Sequence, residues 1–188
     1  DGKIYVLGGR TATAYSSSVD VYDPVTDSWV AVTPMPVAIG YHSSVVVNGK
    51  IFVMGGWNGT NFPSSVNVYD PVTDSWSAVA SMSVALGTFS SVVLDGKIYV
   101  IGGQVGTGIS ATVDVYDPVT DSWSPAASLD ATRYGHSSVV LNGKIYVVGG
   151  AGYASAGDTV EVYDPVTNSW KRIGDTPFRI ISLHTSEV

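Results

Sequence analysis

Few side chains in this sequence are equipped for chemistry, and most of those recur at a fixed interval. Histidines stand at His42, His136 and His184. Two of them are separated by 94 residues (136 − 42 = 94), a spacing that would place them opposite each other in a fourfold ring, where imidazoles can hold a metal. Acid pairs stand at Asp23/Asp27, Asp70/Asp74 and Asp117/Asp121, residue types that serve calcium binding or acid–base work. Both sets have a plainer reading, and it is the one adopted. The histidines open a strand with their ring nitrogens satisfied, and the aspartates flank an Asp-Pro-Val-Thr turn whose backbone amides such side chains bind. No metal or other cofactor is expected.

Other chemistries are excluded or weak. There is no cysteine, so disulfides, thiolate metal sites and thiol nucleophiles are absent. No Ser-His-Asp arrangement or metal-spaced cluster occurs. Gly106-Thr107-Gly108-Ile109-Ser110-Ala111 fits a dinucleotide fingerprint, but that motif needs a helix after it and here a strand pattern follows. Asn58-Gly59-Thr60 is a glycosylation sequon, a common match. A net charge of −7 argues against nucleic acid, which needs a basic face. No apolar run approaches the roughly 18 residues of a membrane-spanning helix. The sequence begins at Asp1, without a methionine, and reads as a mature or excised segment. The compartment stays open.

The elements that position these residues come from one repeated sentence. VYDPVTDSW at Val21–Trp29 returns at Val68–Trp76, at Val115–Trp123 and, as VYDPVTNSW, at Val162–Trp170. The period is constant (68 − 21 = 115 − 68 = 162 − 115 = 47). Four copies make a repeat architecture in a single domain, with units 1–47, 48–94, 95–141 and 142–188. Each unit has an apolar strand ending at a glycine doublet: Gly8-Gly9, Gly55-Gly56, Gly102-Gly103 and Gly149-Gly150. Asn-Gly or Asp-Gly precedes that strand, the hairpin signal of a type I′ turn. A third strand leads into Tyr22, Tyr69, Tyr116 or Tyr163, and a fourth carries Trp29, Trp76, Trp123 or Trp170. The tryptophans read as packing between units. The prediction is all-β: four units of four short antiparallel strands.

The Gly-Gly doublet, Tyr-Asp-Pro, the spaced tryptophan and the His-Ser-Ser entry at His42 and His136 resemble the kelch repeat over all four periods. The resemblance implies a kelch-type β-propeller, one blade per repeat around a central channel. Rings in that family usually have six or seven blades. Here the tail Leu183–Val188 falls in first-strand register (89 + 47 + 47 = 183), which favours a closed four-bladed monomer whose C-terminal strand completes the first blade. Assembly into a larger ring stays open. Kelch-fold copper oxidases use a cysteine–tyrosine cross-link that this chain cannot make. Some bacterial kelch propellers act on sialic acid by mutarotation. The acid–base candidates for that alternative are Asp130, Arg133, Asp158 and Arg179.

Positions shared by all four copies build the ring, and positions that differ are free to specialise. Two loops per unit differ: the one after the doublet (10–18, 57–65, 104–112, 151–159) and the one between units (33–41, 80–88, 127–135, 174–182). In an up-and-down blade both open on the same face. That face is expected to carry Arg10, Tyr15, Tyr41, Trp57, Asn58, Phe62, Gln104, Arg133, Tyr134, Tyr153, Phe178 and Arg179. Rigid aromatics among small polar residues suit a binding surface. The expectation is a non-enzymatic module for a protein or peptide, with a glycan second. Kelch relatives with acidic-peptide ligands use several arginines there, and the few here weigh against a strongly acidic partner. A propeller fragment with no ligand of its own is the remaining alternative.

Overall fold

The structure is a computed structural model describing residues 2–152 and 156–177. The tail proposed to complete the first blade lies outside the described residues, as do Tyr153, Phe178, Arg179 and His184.

The chain forms successive antiparallel sheets, one per repeat. The first holds β1 (Ile4–Leu7), β2 (Val19–Asp23) and β3 (Ser28–Ala31). The second runs β4 (Ser43–Val47), β5 (Lys50–Met54), β6 (Val66–Asp70) and β7 (Ser75–Val79). The third runs β8 (Ser90–Leu94), β9 (Lys97–Val105), β10 (Gly108–Asp117) and β11 (Ser122–Ala126). The fourth runs β12 (Ser137–Leu141), β13 (Lys144–Val148), β14 (Thr159–Asp164) and β15 (Ser169–Asp175). Innermost strand β8 packs between β4 and β12. This is the β-propeller architecture expected. No helix among the described residues is long and apolar enough to cross a membrane.

The core lies between blades rather than within one. Met54, Val66, Met82, Leu86 and Phe89 pack with Ile98, Val100 and Tyr116 of the next blade. A like cluster joins the third and fourth blades, and another the first and second. The glycine doublets make this approach possible. A Cβ on Gly55 would lie 2.4 Å from the Leu86 carbonyl oxygen, and one on Gly56 2.7 Å from that of Gly40. Both glycines have positive φ (56° and 94°), a region closed to most side chains. The close approach lets the Gly56 amide donate to the Leu86 carbonyl at 2.8 Å.

The acid pairs are structural. Asp23, Asp70, Asp117 and Asp164 each accept the amide two residues on, at 2.9–3.0 Å, and each pairs with a lysine of its blade. Backbone hydrogen bonds and the lysines hold these carboxyls below the ordinary carboxylate range. The second residue works between strands, Asp27 accepting the Tyr22 hydroxyl at 2.7 Å, and from the second blade on also between blades. Asp74 accepts the Tyr69 hydroxyl at 2.7 Å and the Thr33 amide of the previous blade at 3.0 Å. Asp121 does the same for Tyr116 and Ala80, and Asn168 for Tyr163 and Ala127. The repeat indoles complete each latch: Trp76, Trp123 and Trp170 donate to the carbonyls of Thr33, Ala80 and Ala127. Trp29 is 57% exposed.

Candidate functional site

Inner strands β4, β8 and β12, with β1 of the first blade, line an axial cavity of about 1400 Å³ that opens between the variable loops. Its shaft is lined by serines of β4, β8 and β12. Ser43 bonds Ser91 at 2.6 Å across one pair of strands, and Ser90 bonds Ser138 across the next. Above them, Tyr41, Thr88 and Gly135 form a collar around the mouth. The Thr88 amide donates to the Tyr41 carbonyl at 2.9 Å, and the Gly135 amide to the Thr88 carbonyl at 2.8 Å. All three have positive φ (56°, 52° and 62°). Tyr41 and Thr88 hold a conformation costing an L-residue roughly 1–2 kcal/mol, the kind of local strain that clusters at binding sites.

Six of the residues expected on this face gather at the mouth. Tyr15, Tyr41, Trp57, Phe62, Gln104 and Tyr134 all line the cavity. Tyr15 meets Tyr41 edge-on with ring centres 6.4 Å apart, and Trp57 meets Phe62 edge-on at 4.8 Å. Two glycines make room for them. A Cβ on Gly40 would lie 3.1 Å from the Tyr15 ring, and one on Gly87 2.4 Å from Phe62. Gly40 also pairs with Trp57 by two backbone bonds of 2.7 and 3.0 Å, so both aromatic pairs are fixed to one another through a single residue. Arg10 is exposed beside the Tyr41 hydroxyl, a contact that raises the guanidinium pKa. Gln104 accepts from the Thr88 hydroxyl at 2.9 Å.

Two expected residues have other work. Asn58 caps its own loop: its Oδ1 accepts the amides of Thr60 and Asn61, and its Nδ2 donates to Asn61 Oδ1. Arg133 is the larger correction. It is 0% exposed and pairs with Glu161, itself 2% exposed. It also donates to the Gly149 carbonyl at 2.9 Å and the Thr159 hydroxyl at 2.8 Å. Burial pulls its pKa down and the Glu161 carboxylate draws it back up. The reason lies in the register: 133 − 47 = 86 and 86 − 47 = 39, and Leu86 and Ile39 are core residues at 1% and 4% exposure. Around the pair, the Asp130 amide donates to Glu161 at 2.9 Å, where one blade earlier Ser83 donates to Asp114 at 2.5 Å. Asp130, Arg133 and Asp158 line no part of the cavity, and the fourth acid–base candidate, Arg179, lies outside the described residues.

The third blade differs from expectation in form. Residues 104–112 extend the hairpin of β9 and β10 outward to a turn at Gly106-Thr107, with Val105 opposite Gly108. The dinucleotide-like motif is therefore a strand–turn–strand. His136 is 4% exposed, and burial pushes its pKa down to about 3. Its register partner in the previous blade is Phe89, a core residue (136 − 47 = 89), and the ring nitrogens of His136 and Nδ1 of His42 are buried without a hydrogen-bond partner among the described residues, so the histidines are not the satisfied strand openers expected. No group of three His, Asp or Glu among the described residues could hold a metal.

The Attractin/LZTR1 β-propeller family model matches residues 1–160. The chain belongs to that family, and its repeats are kelch repeats. A curated relative, Kelch repeat and BTB domain-containing protein 8 of Danio rerio, is 44% identical over 48 residues. That match covers 23% of this chain and 8% of the relative. The solved structure of YjhT superposes with a TM-score of 0.75 at 18% identity, over 91% of this chain and 65% of that one. The kelch chain thus spans about two thirds of that structure and a small part of the curated relative. Thr88 is the mouth residue that the sequence reading passed over. The signal for it was its register with Tyr41 (88 − 41 = 47).

Proposed function

We propose that this kelch propeller is a non-catalytic binding module whose ligand, a peptide or protein loop, docks at the aromatic mouth of the channel. One observation carries the reading: the side chains that differ from blade to blade converge on one cavity, on a scaffold whose other parts repeat. Four of these side chains are aromatic and locked in pairs, which gives large contact area at low entropic cost. Tyr41 is 49% exposed, and a half-exposed aromatic in a strained backbone suits an anchor. The reading is tested with a random peptide library displayed on phage, selected on the wild type and counter-screened on Trp57→Ala. Peptides that bind the wild type and not the variant are the expected result. Enrichment indifferent to Trp57 would move the site elsewhere. Enrichment of no peptide, with capture of an oligosaccharide from a glycan panel, would change the ligand class.

A further inference from the structure

The mouth pairs aromatic rings with side-chain N–H donors. Among its described lining residues there is no aspartate or glutamate. The repeat indoles Trp76, Trp123 and Trp170 donate to carbonyls of the neighbouring blade. The Trp57 indole has no such partner among the described residues, so its N–H, a donor only, remains for a ligand. Gln104 has its amide oxygen occupied by the Thr88 hydroxyl, which leaves its N–H groups. Arg10 at the rim can only donate. In the shaft below, Ser43 bonds Ser91 and Ser90 bonds Ser138. A ligand rich in carbonyl acceptors and apolar in its side chains matches these donors and rings.

Proline-rich chain has those properties. Each proline keeps its carbonyl and has no N–H, and the polyproline II helix leaves its carbonyls without internal partners. Such segments dock in aromatic-lined grooves, with little entropy to lose because the helix is already formed. The mouth has two edge-on aromatic pairs side by side, Tyr15–Tyr41 and Trp57–Phe62, locked together through Gly40. We infer that the mouth binds proline-rich segments in the polyproline II conformation, their rings lying between the aromatic pairs and their carbonyls accepting from Trp57 and Gln104. This inference rests on the peptide-binding reading above.

The test is fluorescence anisotropy with fluorescein-labelled decaproline. Saturable binding is expected. It should weaken roughly 30-fold in Trp57→Ala, the loss of a hot-spot aromatic, and about fivefold in Trp57→Phe, which keeps a ring and loses the N–H. If Trp57→Ala melts below the wild type, Gln104→Glu carries the test, since it replaces a donor with a carboxylate, and weakening of about fivefold is again expected. Decaproline that fails to bind, or binds all variants equally, overturns the inference. The phage selection separates the two failures. Trp57-dependent peptides without proline would refute the proline specificity and leave the binding module standing. No Trp57-dependent peptide in either experiment would remove both.

Discussion

The two faces of this propeller use the same kind of residue in opposite ways. On the turn face, a tyrosine and a tryptophan meet in every blade with ring centres 5.0–5.1 Å apart and planes 39–41° from parallel. At the mouth, the first blade has two tyrosines at 6.4 Å and the second a tryptophan and phenylalanine at 4.8 Å. At the register of Tyr15 and Phe62 the third blade has Ile109 (62 + 47 = 109). Identical geometry marks aromatics whose neighbours are the ring itself. Unequal geometry marks aromatics whose neighbours are not prescribed by the ring. Residue type alone does not separate scaffold from site, whereas comparison across registers does.

Arg133 breaks that division, because it differs from its counterparts and is nevertheless scaffold. Replacing it by leucine, the residue at the same register one blade earlier, leaves Glu161 buried and unpaired. Arg133→Leu should destabilise the chain by about 3–5 kcal/mol, read by urea unfolding. Adding Glu161→Asn, the type found at Asn67, should recover most of that loss. A single variant as stable as the wild type would place Arg133 outside the core. Next in size is the latch on the turn face. Trp76→Ala should cost about 3 kcal/mol, since it removes both the ring packing and the bond to Thr33. Trp29→Ala, on an exposed ring, should cost under about half of that.

A third prediction concerns pH. The His136 pKa in the folded chain lies below the ordinary value of 6.5. The unfolded chain therefore takes up the proton first, and stability falls as pH drops from 6.5 toward 3. His136→Phe, copying Phe89, should flatten that slope and gain on the order of 1–2 kcal/mol relative to the wild type at pH 5. Thermal melts at pH 7 and 5 decide it; parallel shifts in both proteins would assign the acid sensitivity elsewhere. The turn carboxylates, whose pKa values are lowered, add stability that is lost only as pH falls further, below about 4. The smallest effect concerns Tyr41. Tyr41→Gly, copying Gly135, should stabilise the chain by up to about 1 kcal/mol by relieving the positive φ, while weakening any ligand at the mouth. A destabilised variant would mean that the Tyr41 ring contributes more than its backbone costs.

The blade was legible in the sequence because its determinants are local or strictly periodic. Asn-Gly dictates a turn, a doublet of glycines permits a close approach, and a tryptophan 47 residues from another occupies the same seam. The mouth was half legible. Tyr15, Tyr41, Trp57, Phe62, Gln104 and Tyr134 were found because loops after the doublet and between blades must share a face. Arg133 was misplaced because a charged residue in a variable loop looks exposed. Its true environment is set by Ile39 and Leu86 at its register and by a glutamate that becomes adjacent only once two blades pack. Asn58 was misread for the opposite reason, since its partners are within three residues and satisfy it locally. The paired shaft serines were not anticipated, because they depend on the stagger between neighbouring inner strands.

The collar at the mouth joins Tyr41, Thr88 and Gly135 through main-chain atoms alone. Nothing in its hydrogen bonding asks for a particular side chain, and the three blades indeed carry three different ones. After duplication of a single ancestral unit, these positions could drift independently without losing the main-chain bonds between blades. A library randomised at 41 and 88, which already carry L-residues at positive φ, should for the same reason return mostly folded members, and this rim is where a new specificity could be installed on an unchanged propeller.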